Sequence, residues 1–157
     1  MSGNLYINKT YNFSMYKPPA WEILPNARGT MSEAIAALGT SDRSTLLLVA
    51  RDSVSTPVSL TQLDTRSAAT ERKLHGVYEN YRALGTRHSS VDGLAAVEQR
   101  FRGSADGHDW SVVAVTVARG NEVFTILGMT YADSDLIQFQ ENVIHKALAS
   151  FQFTSVP

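Results

Sequence analysis

The fold is decided by residues 87–131, which read RHSSVDGLAAVEQRFRGSADGHDWSVVAVTVARGNEVFTILGMTY. Asp92-Gly93 and Gly120-Asn121 are dipeptides typical of tight hairpin turns, whose central residues take left-handed backbone angles. Residues 112–117 alternate two sets of mostly apolar side chains, so we expect a strand that is buried on both faces. We therefore predict that residues 91–131 form one antiparallel meander.

The strand after the first turn alternates between two kinds of side chain. The set predicted to face the core is Val97, Gln99 and Phe101, and the set predicted to face water is Glu98, Arg100 and Arg102. The polar residues 103–109 follow this strand and are rich in glycine and aspartate. Such residues favour turns, so we predict a longer loop there.

The first predicted helix spans Ser59–Tyr81, where apolar side chains recur at the three- and four-residue spacing of one helix face. That face consists of Leu60, Leu63, Leu74, Val77, Tyr78 and Tyr81. Ser59 or Thr61 suits the N-cap position, and Gly85 lies just beyond the predicted end.

The second predicted helix begins at Asp133 or Ser134 and ends at Ala149. Its apolar side is formed by Leu136, Ile137, Val143, Ile144, Ala147 and Leu148. Asp133, Ser134 and Asp135 suit its start, because their oxygens cap free backbone N–H groups and negative charge favours that end of the helix dipole.

The ends of the chain are predicted to add short strands. Residues 5–16 read as two strands around the polar turn Asn8-Lys9-Thr10. The sequence Lys17-Pro18-Pro19-Ala20-Trp21 then interrupts the second strand, because proline cannot donate a ladder hydrogen bond. Residues 151–153 alternate as a short closing strand.

Residues 34–54 are predicted to form a hairpin. Residues 34–38 and 46–50 are apolar and enclose the turn-rich residues 39–44. A helix over residues 32–38 is the alternative, because Ser32 and Glu33 could cap it and alanine favours it.

Runs of strands with two separated helices indicate an α+β fold, an antiparallel sheet flanked by helices. The chain has 157 residues, and neither an internal repeat nor a low-complexity linker divides it, so we predict a single domain over residues 1–157.

Composition narrows the function classes. Fourteen Lys and Arg against 15 Asp and Glu leave a formal charge of -1, so we do not expect nucleic acid as a partner. There is no cysteine, which excludes disulfides, thiolate metal sites and a cysteine nucleophile. We expect a soluble protein with neither a signal peptide nor a membrane span in this chain. Met1-Ser2-Gly3 suits a native start or a piece of a longer, exported protein, so the compartment stays open.

No residue set points to catalysis or to a bound cofactor. The histidines are His75, His88, His108 and His145. His75 and Glu79 stand one helical turn apart, but a metal site needs further converging ligands, so a surface pair is the simpler interpretation. Ser89-Ser90 beside His88 has no recognisable acid partner, and Gly103 and Gly107 lack the lysine and helix of a phosphate loop. We predict no catalytic, cofactor-binding or metal-binding residues.

Three other features have two interpretations each. Arg82, Arg87, Arg100 and Arg102 form either an anion-attracting patch or, more simply, a solvated strand face interspersed with Glu98. Trp21 is either a stacking platform or, preferably, a core residue below the proline bend. Asn8-Lys9-Thr10 and Asn12-Phe13-Ser14 match a glycosylation acceptor that matters only in a eukaryotic secretory protein.

Two segments resemble the PsbP-like fold family, named for the extrinsic photosystem II subunit and including the import factor that binds the Ran GTPase. Residues 11–21, YNFSMYKPPAW, are similar to its opening strand with proline and tryptophan. Residues 143–153 are similar to its closing helix and serine–phenylalanine strand. Within this family the chain resembles the uncharacterised bacterial members. The resemblance implies an α/β/α sandwich, and it implies no catalytic residues.

The resemblance and the absence of reactive motifs favour a non-catalytic protein-binding or assembly module whose partner is another protein. The alternative is a small-molecule-binding domain or an unusual enzyme with a pocket between the sheet and a helix. Fold likeness alone cannot choose between them.

Overall fold

The computed structural model describes residues 5–24 and 34–154. Its elements in chain order are β1 (Leu5–Asn8), β2 (Phe13–Tyr16), β3 (Glu22–Ile23), β4 (Ala34–Gly39), β5 (Thr45–Ser53), α1 (Leu60–His75), β6 (Glu79–Val91), β7 (Leu94–Ala105), β8 (His108–Arg119), β9 (Glu122–Tyr131), α2 (Ile137–Ser150) and β10 (Gln152–Phe153). None of the helices described is long and apolar enough to cross a membrane.

The large sheet has seven strands in the order β3-β4-β5-β9-β8-β7-β6, and every neighbouring pair is antiparallel. The predicted meander is confirmed by the consecutive pairing of β6, β7, β8 and β9. A second sheet has the order β1-β2-β10 and joins the two ends of the chain. The α+β prediction is therefore correct.

The central strands of the seven-stranded sheet are buried on both sides. Val113, Val115 and Val117 of β8 face a core shared with α2 and the small sheet, and we call this side the α2 face. Val112 and Ala114 face a core shared with Leu74 of α1, and we call this side the α1 face. The strand predicted to be buried on both faces is β8, because each side carries its own helix.

Tight turns join the strands of the meander. Asp92 and Gly93 take φ values of 50° and 79°, the left-handed pair that their sequence predicts. Asp106 and Gly107 form a second turn of the same kind, with φ values of 55° and 79°. The predicted loop over residues 103–109 is therefore wrong, because Asp106-Gly107 reverses the chain alone and the ladder continues through Ala105 and His108.

The first helix is shorter than the sequence predicts. It begins after Ser59, which forms a reciprocal capping box with Gln62, and it ends at His75. Tyr78 has left the helix and lies over Gly103, where an added Cβ would stand 2.6 Å from the Tyr78 Cβ. Burial of Tyr78 on the sheet outweighs the helical periodicity and allows β6 to begin at Glu79.

Other boundaries also differ from the predictions. The second helix begins at Ile137 and not at Asp133 or Ser134, because Ser134 Oγ accepts a hydrogen bond from the Leu136 N–H in a turn that precedes the helix. Residues 34–39 form a strand, which confirms the predicted hairpin with β5. Ser32 and Glu33, on which the helical alternative depended, lie outside the described residues.

Trp21 is 5% exposed and belongs to the core of the α2 face, which supports the prediction of a core residue. The two terminal segments meet nearby, since the Phe13 and Phe151 rings stack with their centroids 5.0 Å apart. Ser150 Oγ accepts a hydrogen bond from the Tyr16 N–H at 2.8 Å.

Candidate functional site

Four arginines lie together at the β6 edge of the α2 face. The register places Arg82 opposite Arg102, Arg87 opposite Glu98 and Arg100 opposite Gly85. In β7 these even-numbered residues share the side that faces α2, because they align with Val113 and Val115 of β8. We call Arg82, Arg87, Arg100 and Arg102 the arginine face. The sequence alone did not establish that these four residues lie together.

Arg82 and Arg102 form a like-charge cross-strand pair. Directly opposed residues on neighbouring antiparallel strands have Cβ atoms about 4.5–5.5 Å apart, so two positive charges there repel each other. Neither forms an ion pair with any residue in the described ranges. Arg102 Nε is also shielded from water and has no hydrogen-bond partner there. A buried donor left without an acceptor adds to the free-energy cost of the like-charge pair.

Arg87 differs from the other three because it has an acidic partner. Its Nε lies 2.8 Å from Glu98 Oε2, and the Glu98 side chain is only 8% exposed. The prediction that Glu98 faces water is therefore wrong. Its carboxylate can be buried because Arg87 forms an ion pair with it and lies over it. Arg100 is exposed and has no ion pair among the described residues. The arginine face consequently keeps a surplus of positive charge.

A row of polar side chains links the arginine face to the interior under α2. The strand registers align Arg82, Arg102, Ser111, Thr130 and Thr45 across five strands. Ser111 Oγ donates a hydrogen bond of 2.6 Å to Glu141 Oε2 of α2, and the hydroxyls of Thr45 and Thr130 lie 2.8 Å apart. The three hydroxyls of the row thus have hydrogen-bond partners, Glu141 for Ser111 and each other for Thr45 and Thr130, whereas no such bond joins the two arginines at its outer end.

A small depression of about 30 Å³ lies between α2 and the arginine face. Among its lining residues are Leu84, Arg100, Ser111, Glu141 and His145. Leu84 is 51% exposed, so an apolar side chain borders the charged groups. The depression can accept the tip of one side chain but not a separate organic ligand.

β6 itself is the outermost strand and is exposed along most of its length. In the described residues it pairs on one side only, with β7, so its other edge presents unpaired backbone groups. Two register irregularities lie between Glu79 and Gly85, and the ladder from Gly85 to Val91 is regular. This second half is the part of the edge that is suited to accept another strand.

The histidines do not converge. His75 ends α1 and its ring lies 4.3 Å from that of Tyr81, while Glu79 belongs to β6, so the predicted one-turn spacing is wrong. His108 stacks on Tyr131 at 3.9 Å. Among the residues described, no three or more His, Cys, Asp or Glu side chains are grouped as a metal ion would require.

His88 does have an acid partner, contrary to the interpretation from sequence. Its Nε2 lies 2.9 Å from Asp64 Oδ1 of α1, which no spacing in the sequence indicated. Neither Ser89 nor Ser90 is hydrogen-bonded to His88 in the part of the chain that the structure describes. The pair is exposed on both sides and joins α1 to β6.

The two tyrosines that follow α1 stay neutral at physiological pH. Burial raises the pKa of Tyr78 to about 12, and burial together with a hydrogen bond to Glu71 raises the pKa of Tyr81 to about 12. Both contact Phe101 on the α1 face, Tyr81 stacked on its ring and Tyr78 edge to face, so neither phenol supplies negative charge to the arginines.

Comparison with known proteins identifies the fold. No family model matches the chain, and no curated protein matches it. The solution structure of cyanobacterial PsbP (CyanoP) from Synechocystis sp. PCC 6803 is similar over 95% of this chain and 91% of its own, with a TM-score of 0.72 and 14% identity. The chain has a PsbP-like fold.

Two other solved structures share this PsbP-like architecture. LpqN, involved in cell envelope biogenesis of Mycobacterium tuberculosis, is similar over 91% of this chain and 83% of its own, with a TM-score of 0.69 and 12% identity. A Pseudomonas aeruginosa protein of unknown function, PA94, covers 98% of this chain and 95% of its own, with a TM-score of 0.56 and 18% identity. The resemblance drawn from the two terminal segments is confirmed at the level of fold.

Proposed function

We propose that this PsbP-like domain is a non-catalytic protein-binding module, and that it binds an extended acidic segment of another protein along β6 and the arginine face. The observation that supports this most is the like-charge pair of Arg82 and Arg102. The pair opposes folding, neither arginine forms an ion pair among the described residues, and Arg82 lies on the exposed edge strand. A bound carboxylate offsets the repulsion and accepts a hydrogen bond from Arg102.

The positive charge of the arginine face is the reason to expect an acidic partner segment. Carboxylates suit arginine because the guanidinium forms two parallel hydrogen bonds to them. A strand added beside β6 lies about 4.8 Å from it, within reach of the Arg82 and Arg87 side chains. Every second residue of that strand faces the α2 side, so we expect acidic residues at alternate positions.

The backbone of β6 supplies the rest of the binding energy. Unpaired N–H and C=O groups from Gly85 to Val91 can form a ladder with an incoming strand, a recognised mode of peptide binding. A second copy of this chain is a less suitable partner for β6. Pairing two β6 strands would bring Arg82 and Arg87 close to the same arginines of the other copy, and their positive charges would repel. The family resemblance supports the same class of function without indicating a partner.

Fluorescence anisotropy with a labelled peptide of about ten residues tests the proposal, with glutamate alternating with valine or threonine. We expect it to bind more tightly than its glutamine counterpart and to weaken as salt is added. Arg82→Gln/Arg102→Gln should weaken binding at least tenfold, since each lost charge-assisted hydrogen bond is worth about 1.5–3 kcal/mol. Arg43→Gln, in the exposed turn between β4 and β5, is the matched control.

Hydrogen exchange locates the bound peptide. Amides of residues 85–91 should exchange more slowly in the complex, and those of β3, at the opposite edge of the sheet, should not change. Equal binding of the glutamate and glutamine peptides contradicts the proposal. A single-stranded oligonucleotide that binds the same arginines more tightly than the acidic peptide would replace protein by nucleic acid as the partner.

A further inference from the structure

An open groove lies on the α1 side of the sheet, beside the first residues of β6. Its lining consists of Glu71, Arg72, His75, Gly76, Tyr81 and Ala83. α1 packs on β7 and β8, so the groove lies at the outer side of the helix, next to the edge strand. Its volume is about 660 Å³, whereas the depression on the α2 side holds about 30 Å³, so this groove has room for a complete side chain.

Aromatic rings connect the groove to the core. Phe101 is 1% exposed, and its ring stacks on that of Tyr81 with the centroids 4.7 Å apart. The Tyr81 ring in turn lies 4.3 Å from the ring of His75, which is exposed. His75 is therefore the outermost of three rings in contact, and a further ring can pack against it in an offset or edge-to-face arrangement.

The groove does not select for charge. The acid of its lining, Glu71, and the arginine beside it, Arg72, cancel in formal charge. Glu71 Oε2 also accepts a hydrogen bond of 3.0 Å from the Tyr81 hydroxyl. The α1 side of the edge thus differs from the α2 side, where the arginine face keeps a surplus of positive charge. A neutral side chain suits the groove, and the Arg72 guanidinium can lie over an aromatic ring.

We propose that this groove binds an aromatic side chain of the acidic segment, an inference that rests on the function proposed above. Side chains alternate between the two sides of a strand, so the residues between the acidic positions of the segment face α1. Ala83 faces the same side, because it pairs with Phe101 of the core shared with α1. A residue of the added strand that is diagonal to Ala83 lies about 7–8 Å away, which an aromatic side chain can span.

The sequence of the segment follows from the two sides. Acidic residues recur at alternate positions and face the arginine face, whereas one aromatic residue faces α1. That residue lies at the end of the segment beside Ala83, just beyond the regular ladder that begins at Gly85. The small side chain of Ala83 leaves the floor of the groove open for the ring.

Fluorescence anisotropy with substituted peptides tests this inference. An all-valine peptide alternates glutamate with valine, and two variants replace its first or its last valine by phenylalanine. We expect one of the two variants to bind about tenfold more tightly than the all-valine peptide, because a ring pair adds to the apolar surface buried. The groove lies at the start of β6, so a gain at the C-terminal end of the peptide indicates an antiparallel strand, and a gain at the N-terminal end indicates a parallel one.

Substitutions in the groove locate the gain. His75→Ala removes the exposed ring and should abolish the preference for phenylalanine, while the affinity for the all-valine peptide stays unchanged. His75→Phe keeps a ring and should retain the preference. Ala83→Leu fills the floor of the groove and should abolish the preference independently. Thr61→Ala, at an exposed position near the other end of α1, is the matched control and should behave like the parent protein.

The outcomes separate this inference from the proposed function. Binding of the all-valine peptide with no gain from phenylalanine at either end overturns the inference alone. A gain that persists in both His75→Ala and Ala83→Leu also overturns it, because the ring then binds elsewhere. If no peptide binds the parent protein, the inference and the proposed function both fail.

Discussion

Arg82 of β6 and Arg102 of β7 are direct cross-strand partners with like charge, and neither forms an ion pair among the described residues. Such a pair lowers stability, so selection for stability alone would not place it at an exposed edge. It connects the fold to the proposed function, because the same repulsion that costs folding free energy is relieved when an acidic segment binds.

The repulsion is measurable without any partner. Arg82→Gln removes one charge of the pair, and we expect it to raise the free energy of unfolding by roughly 0.2–1 kcal/mol at low salt. Urea denaturation at low and high salt checks this, because screening should shrink the gain. Arg43→Gln should show no such gain. A variant that is less stable than the parent at low salt contradicts the interpretation.

Gly128 allows α2 to approach the sheet. A Cβ at this position would stand 2.5 Å from Ile144 Cγ2 and 3.3 Å from Val113 Cγ1. Gly128→Ala should therefore lower the free energy of unfolding by about 1–3 kcal/mol, as overpacking of a core does. Gly76→Ala is the control, since its nearest contact would be 3.5 Å, an ordinary van der Waals distance.

A double-mutant cycle separates this clash from other effects. Ile144→Ala removes Cγ2 and should itself be destabilising, but Gly128→Ala should cost less when added to it. Strict additivity of the two changes would show that the Gly128 effect has another cause.

Trp21 tests the assignment of the proline bend to the core. Trp21→Ala should cost about 3–5 kcal/mol, because it removes a large buried side chain and leaves a cavity. Ile23→Ala changes a neighbouring residue that is 62% exposed and should change little. Thermal unfolding compares the two. A Trp21→Ala variant that melts like the parent but loses a ligand would instead make Trp21 part of a binding site.

Glu122 should make stability depend on pH. Partial burial acts to raise its pKa, but hydrogen bonds from Arg119 and Arg51 outweigh burial and hold the pKa below its ordinary value of 4.5. A lowered carboxyl pKa contributes stability above the unfolded pKa, and that stability is lost as pH falls through the folded pKa. Denaturation curves between about pH 6 and pH 3 should therefore lose less stability in Glu122→Gln than in the parent. Equal slopes would contradict this, and Arg43→Gln should keep the parent slope.

Much of the fold could be predicted because its signals are local. Asp92-Gly93 specifies a tight turn through two left-handed residues, and residues 112–117 specify a two-sided strand through their alternation. The single domain and the absence of catalytic, metal and cofactor residues remain predictions. The predicted helix ends were wrong where contacts between distant residues set them. The first helix ends early, for example, because Tyr78 lies over Gly103 of the sheet.

The candidate site was only partly visible in the sequence. The four arginines were recognised as a group, but their pairing required the register. The side chains of His88 and Asp64, 24 residues apart, meet only because α1 packs beside β6. A cavity of about 160 Å³ between α1 and the sheet is likewise lined by residues from four separate elements, β5, α1, β8 and β9.

The sequence by itself determined the elements of this protein: the periods of hydrophobicity, the turn dipeptides and the terminal segments that resemble the PsbP-like fold. The tertiary structure decided which side chains face each other. Counted from the Asp92-Gly93 turn, an unbroken ladder would place Arg82 opposite Gly103, but an irregularity between Ala83 and Gly85 adds one residue to β6 and places it opposite Arg102. A one-residue shift also changes the face on which a side chain lies, so the arginine face depends on a bulge that no local pattern predicts.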